Sequence, residues 1–340
     1  MDVIDETAPS YVPDWHDPFG PLGPIPEELL EEARDALRDV FDRLRAGKRI
    51  DISRVAAFAE SLVVDLVRAE PFLEGGRWPI HRQSLYWKIF RIEADVGFPI
   101  DHSINVAILA VRLGLALGYR HLQAVELAQA ALLHDVGLCL VHPDIIFKTT
   151  PLMEEERAAI REHSSLGQQA LLSLPEEHRW LAEVVRHVHE RENGRGYPDG
   201  IQGDVIHPCA KIVGLADVYE ALSQPQANRQ AVIPYEIMQE LTDNREGLFA
   251  PEMLQALSRT MTTYPPGSFV RLSTKELARV VAISEEAPLR PVVEVVCDES
   301  GCRPAEPTVY SLKQHPEIGI DQCLSPDWVA NVMTDPPSGY

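Results

Sequence analysis

The chain has 340 residues, 45% of them hydrophobic, which is enough for one large core or two domains. Its 52 acidic against 31 basic side chains give a net charge of −21. Such a balance excludes general binding of DNA or RNA and docking on an anionic membrane, but admits a small anionic ligand where a metal supplies positive charge.

Residues 1–26 are rich in Pro, Gly and Asp and read as an acidic mobile arm. The segment Met1-Asp2-Val3-Ile4-Asp5-Glu6 has no basic start and no apolar run, so no secretory leader is expected and the reading is cytoplasmic. From Pro26, Leu29, Leu30, Ala33, Leu37, Val40, Phe41 and Leu44 recur at helical spacing, with Gly47 as a stop. Asp51 then caps a second helix carrying Ile52, Val55, Ala59, Leu62, Val63 and Leu66 on one face. Residues 27–79 therefore form an N-terminal helical region. It is either a small sensory or dimerising unit or the first layer of the main bundle.

Helical patterns continue over about 103–118, 122–135, 154–173, 178–190, 207–222, 234–243 and 250–262. They are joined by short loops containing Pro or Gly. This is an all-α bundle in which ligands can project inward from several helices. After Pro265-Pro266-Gly267 the pattern turns β-branched, in Phe269–Leu272, Leu277–Ile283 and Pro291–Val296. Residues 265–314 read as a small β appendage and 315–340 as an irregular tail. Five cysteines without paired CxxC spacing read as free thiols.

Several titratable residues stand where a divalent metal needs them. His134-Asp135 ends the apolar run Ala130-Ala131-Leu132-Leu133, and one carboxylate between two metal positions can bridge them. His102 opens a helix. Asp217 lies in the apolar helix Ile212–Tyr219, where a carboxylate is costly unless paired or metal-bound. His163 and the pair His187 and His189 add further nitrogen donors. Helical positions i and i+2 point about 200° apart, so only one of His187 and His189 should face a common site. His121, His142, His178, His207 and His315 neighbour Pro, Arg or loop residues and read as surface or turn groups.

These residues fall in an ordered series of motifs: His102-Ser103-Ile104-Asn105-Val106-Ala107; His134-Asp135-Val136-Gly137; Ile146-Phe147-Lys148; Glu156 with His163-Ser164-Ser165-Leu166-Gly167; Glu190 to Gly196-Tyr197-Pro198; and Ala216-Asp217-Val218-Tyr219-Glu220. The series, over about residues 80–265, resembles HD-GYP proteins. These are the branch of the HD metal-dependent phosphohydrolase superfamily that degrades the bacterial second messenger cyclic di-GMP. The resemblance implies a mainly α fold: an HD-type helical bundle over 80–264, with N-terminal helices and the C-terminal β appendage. It implies one metal held by His102, His134, Asp135 and Asp217, and a second held by Asp135, His163 and His189, with iron or manganese as the usual ions. Asp135 and His134 would carry the catalytic centre. Gly196, Tyr197 and Pro198 would wall the substrate, which would be cyclic di-GMP or a related cyclic dinucleotide. A protein signalling partner and a homodimer fit the same resemblance.

The departures are specific. Leu138 stands where the family has a phosphate-contacting Lys, and Val188 stands where it has a histidine before His189. Asn193 replaces an acidic residue. Phe98 replaces the Glu of members with a third metal, so at most two metals are expected. Gln226 replaces a phosphate-binding Arg, for which Arg229 could compensate. These departures leave two alternatives to a cyclic di-GMP phosphodiesterase: a catalytically degenerate domain that acts as a nucleotide receptor or interaction module, and a hydrolase of another phosphoester.

Overall fold

The computed structural model describes residues 26–69, 85–90, 99–224, 232–243, 246–261, 263–265, 268–282, 287, 289–299, 302, 304 and 308–324. Phe98, Gln226 and Arg229 lie outside the described residues, as does the arm over 1–25. The described residues fall into two units, a helical one within residues 23–264 and one with a sheet from Pro265 onward.

The helical unit begins with α1 (Glu27–Arg45), which buries Leu30, Ala33, Leu37, Val40 and Phe41 along one stripe. Its first turn carries Glu27 and Glu28 and its last Arg43 and Arg45, both favourable to the helix dipole. The N-terminus of α2 (Ser53–Ala69) is held by Asp51, whose carboxylate accepts the Ser53 N–H at 2.9 Å. The central α3 (Ile100–Ala116) is buried from Asp101 to Gly114 without interruption. A helix apolar on every face has neighbours on every face, and here they are α4 (His121–Leu133), α9 (Pro208–Ser223), α11 (Pro251–Thr260), α1 and α2. The N-terminal helices thus belong to the main bundle, as its first layer.

The remaining helices are α5 (Pro143–Ile146), α6 (Glu154–Arg161), α7 (His163–Leu171), α8 (Trp180–His187) and α10 (Pro234–Asp243). Two differ from the sequence reading. The single helix expected over 154–173 breaks at Glu162, where the His163 ring takes the Ile160 carbonyl as a hydrogen-bond acceptor at 2.7 Å. The helix expected to reach residue 190 stops at His187, so Val188 and His189 sit on the turn after it. No described helix is long and apolar enough to cross a membrane.

The second unit is a five-stranded antiparallel sheet of β1 (Phe269–Leu272), β2 (Leu277–Ala282), β3 (Val292–Cys297), β4 (Val309–Ser311) and β5 (Ile320–Leu324), in the order β4-β3-β2-β1-β5. Val270, Leu272, Ala278, Val280 and Val293 are fully buried. Strand β5 corrects the reading of 315–340 as irregular throughout. Ile320-Asp321-Gln322-Cys323-Leu324 shows no apolar alternation because it is an edge strand, held by main-chain pairing of Phe269 with Leu324 and Val270 with Cys323.

Candidate metal centre

Six side chains from five places in the helical unit converge. His102 comes from the first turn of α3, His134 and Asp135 from the end of α4, and His163 from the first position of α7. His189 comes from the turn after α8, and Asp217 from the middle of α9. They form two sets, His102–His134–Asp217 and Asp135–His163–His189, within each of which the ligand atoms lie within 4.8 Å of one another.

Asp135 is the hub. Its Oδ1 is 3.2 Å from His163 Nε2, 3.4 Å from His134 Nε2 and 3.7 Å from His189 Nε2, while Oδ2 is 3.6 Å from His102 Nε2. Asp217 Oδ1 lies 3.3 Å from His102 Nε2, and its Oδ2 lies 3.6 Å from His189 Nδ1. Both carboxylates approach both sets, and Asp135, facing two nitrogens of each, is the better placed to bridge them.

The rings are aimed by partners behind them. His134 Nδ1–H donates to the Ala131 carbonyl and His163 Nδ1–H to the Ile160 carbonyl, both at 2.7 Å, which turns each Nε2 toward Asp135. His102 Nδ1 faces Glu220 Oε2 at 2.5 Å, and Asn105 holds the other Glu220 oxygen at 2.8 Å. Glu220 and Asn105 were not singled out from the sequence. The signal was there, because Glu220 lies three residues after Asp217 on an apolar helix and so shares its face. Glu220→Gln should lower metal affinity about 10- to 100-fold with the fold intact. Competition with a metal-sensitive dye checks this, and unchanged affinity would remove Glu220 from the account.

A divalent cation fits these residues. His134 Nε2 and Asp135 Oδ1 are buried without a hydrogen-bond partner, a costly arrangement that a cation between them would relieve. His163 Nε2 and His189 Nε2 face each other at 2.9 Å, where two lone pairs repel unless a proton or a cation joins them. Burial pushes the Asp135 carboxyl up, but the charge of His134 and the facing His163 and His189 rings outweigh it and hold the group well below the carboxylate range. Burial opposes charge on His102 too, yet Glu220 and Asp217 raise it well above an ordinary imidazole. Burial wins at His189, with help from His163, and lowers it. The set of imidazole and carboxylate donors suits divalent transition metals.

Main-chain packing brings the ligand turns together. Gly137, two residues after Asp135, sits where any Cβ would overlap the His163 carbonyl oxygen and the Gly167 amide nitrogen. Gly196 lies against the backbone of His189 and Glu190, and Tyr197 N–H donates to the His189 carbonyl at 3.2 Å. The Tyr197 ring then stacks on His189, with centroids 4.8 Å apart and planes 7° from parallel. The loop behind it is fixed by Glu190 Oε1, which accepts the Asp199 and Gly200 N–H groups, and by Arg186, which grips Asp199 through two bonds of 2.6 and 2.7 Å. Pro198 is exposed beside it.

His187 does not supply a donor, since its Nδ1 accepts the His207 N–H at 3.4 Å. Val188 is buried, and its carbonyl accepts from Arg191. Leu138 is buried and apolar. Asn193 pins the loop, donating to the Glu246 carbonyl and accepting the Arg195 N–H. His121, His142, His207 and His315 pair with Glu60, Asp144, Cys209 and Glu317, as turn and surface groups do.

Residues 90–253 match the HD domain family, and residues 269–331 match a KOW domain associated with HD domains. A cyclic di-GMP phosphodiesterase of Pseudomonas aeruginosa is 26% identical over 287 residues, covering 81% of this chain and 66% of that protein. One of Borreliella burgdorferi is 28% identical, covering 62% and 55%. A 3′3′-cGAMP-specific phosphodiesterase of Vibrio cholerae is 29% identical, covering 51% and 38%. The chain thus spans less than two thirds of the length of these relatives. Among solved structures, the HDG"Y"P protein Bd1817 of Bdellovibrio bacteriovorus shares the fold at a TM-score of 0.52 and 17% identity, covering 67% of this chain and 69% of that one.

Proposed function

With an HD domain over residues 90–253 as the premise, we propose that this chain is a metal-dependent phosphodiesterase that hydrolyses cyclic di-GMP or a related cyclic dinucleotide. The observation that carries the reading is the Asp135 carboxylate, within 3.7 Å of four histidine nitrogens belonging to both donor sets. His102, His134, Asp135 and Asp217 would hold one ion and Asp135, His163 and His189 the other, iron or manganese by preference. When bound, such ions acidify water and offset the charge that develops on phosphate oxygens. The chain's own groups do the rest. Ala131, Ile160 and Glu220 fix which imidazole nitrogen faces inward. Tyr197, locked on His189, gives the site a rigid flat wall at which a ligand can be positioned. In the reaction a water oxygen bonds to phosphorus as the P–O3′ ester bond breaks, leaving a linear dinucleotide.

Buried apolar Leu138 favours a second reading, a nucleotide receptor that holds substrate without efficient turnover. One experiment separates the two. Purified protein is loaded with Mn or Fe, its metal content is measured, and cyclic di-GMP is followed by chromatography on the same sample. Release of linear product in proportion to metal content supports the enzyme. Fully loaded protein that binds but does not cleave supports the receptor.

A further inference from the structure

The substrate class proposed above carries two phosphates, and only one can react at a time. The other needs a cation, on a chain of net charge −21 whose centre already holds Asp135, Asp217 and Glu220. Leu138 cannot supply it. Five other basic side chains described in the helical unit have closer partners. Arg186 is bidentate on Asp199, and Arg191 caps the Val188 and Glu190 carbonyls. Arg195 bonds Glu246 at 3.1 Å, Lys148 bonds Glu156 at 2.6 Å, and Lys211 bonds Glu192 at 2.6 Å.

Arg161 is different. It is the last residue of α6, beside the break at Glu162 and two residues before His163. Its guanidinium carbon stands over the Tyr197 ring, 5.7 Å from the centroid. The same ring stacks on His189 and meets His163 edge-on at 6.3 Å, so Arg161 is one aromatic ring away from the donor set of Asp135, His163 and His189. Its ionic neighbour, Glu154, is 3.8 Å away, with the two side chains 54% and 75% exposed. A contact that long and solvated contributes little and leaves the guanidinium fork available to a ligand. The ring beneath restricts the side chain without consuming its N–H donors.

Resting on the function proposed above, we infer that Arg161 is the phosphate-contacting cation of this site. It takes the non-reacting phosphate of the cyclic dinucleotide in place of the cation that Leu138 lacks. Its role is specificity for a ligand with two phosphates, and the metal centre does not depend on it.

The test uses the full chain loaded with Mn, as wild type, Arg161→Ala and Arg161→Lys. Three quantities are measured: metal content, affinity for cyclic di-GMP by calorimetry, and kcat/KM for bis(p-nitrophenyl) phosphate, a diester with one phosphate. Arg161→Ala should weaken cyclic di-GMP binding about 10- to 100-fold, the weight of a charge-assisted contact. Arg161→Lys should recover part of the loss. Metal content and cleavage of the small diester should stay at the wild-type level. Unchanged cyclic di-GMP affinity in Arg161→Ala overturns the assignment alone. Equal loss of metal and small-diester cleavage also overturns it, by showing that Arg161 merely supports the His163 turn. Wild type that neither binds nor cleaves any cyclic dinucleotide overturns the proposed function and this assignment with it.

Discussion

Asp135→Ala is expected to empty both metal positions at once and to abolish turnover. Asp217 approaches one nitrogen of each candidate set, whereas the Asp135 carboxylate approaches two of each. Its removal also withdraws the negative charge that balances four surrounding imidazoles, so a divalent cation would meet a site poorer in both donors and charge. If the ions supply about 4 kcal/mol of transition-state stabilisation, activity falls about 10³-fold or more. Asp135→Asn keeps the volume and one oxygen but loses the charge, and should fall between wild type and Ala in metal content. Elemental analysis of the three purified proteins decides the matter. Full occupancy in Asp135→Ala would remove the bridging role, whatever the activity.

Asp101→Asn should be the most destabilising conservative change near the site. Asp101, next to His102 on α3, receives two Arg34 nitrogens from α1 at 2.8 and 3.1 Å, and Lys88 Nζ at 3.1 Å. Lys88 is fully buried and Arg34 largely so. Breaking a buried ion pair costs about 3–5 kcal/mol, and the lower end applies because Arg34 keeps Glu31 at 2.6 Å. For a unit of this size that is about 6–12 °C in melting temperature. The effect depends on pH with a definite sign. Burial raises the Asp101 carboxyl, but Arg34 and Lys88 outweigh it and hold the group below its ordinary 3.8. A depressed carboxylate contributes its full stability above the unfolded-state value and loses it as pH falls through the folded-state value. The gap between wild type and Asp101→Asn in urea unfolding should therefore be largest near neutrality and close at acid pH. A gap that persists undiminished at about pH 3 would mean that Asp101 acts through packing, with its charge irrelevant.

The convergence of the candidate donors was legible in the sequence because their cost is legible. Asp217 in an apolar helix and His134-Asp135 at the end of a buried one each demand a partner, and the spacing of His102, His163 and His189 supplies it. What could not be read was how the rings are held. The Ala131 and Ile160 carbonyls are main-chain groups with no sequence signature, and Glu220 looks like any acidic residue until its face is known. Arg161 was invisible for a similar reason. In a continuous helix over 154–173 it reads as one more solvated charge, and only the break at Glu162 and the position of Tyr197 give it a role. The β5 edge strand was missed because its stability comes from β1 rather than from its own side chains. The assignments to Gln226 and Arg229 concern residues outside those described.

The backbone contact at Gly137 divides the site into parts that can and cannot be redesigned. The spacing between the His134-Asp135 turn and the start of α7 is set by main chain against main chain, with no room for a methyl group. That distance is indifferent to which side chains decorate the rim. Residue 161, exposed on that rim, can then be exchanged to retune which ligand is held, while the donor carboxylate stays where it is. A library varied at position 161 with Gly137 fixed should stay folded and differ in selectivity. Varying Gly137 instead should yield misassembled protein.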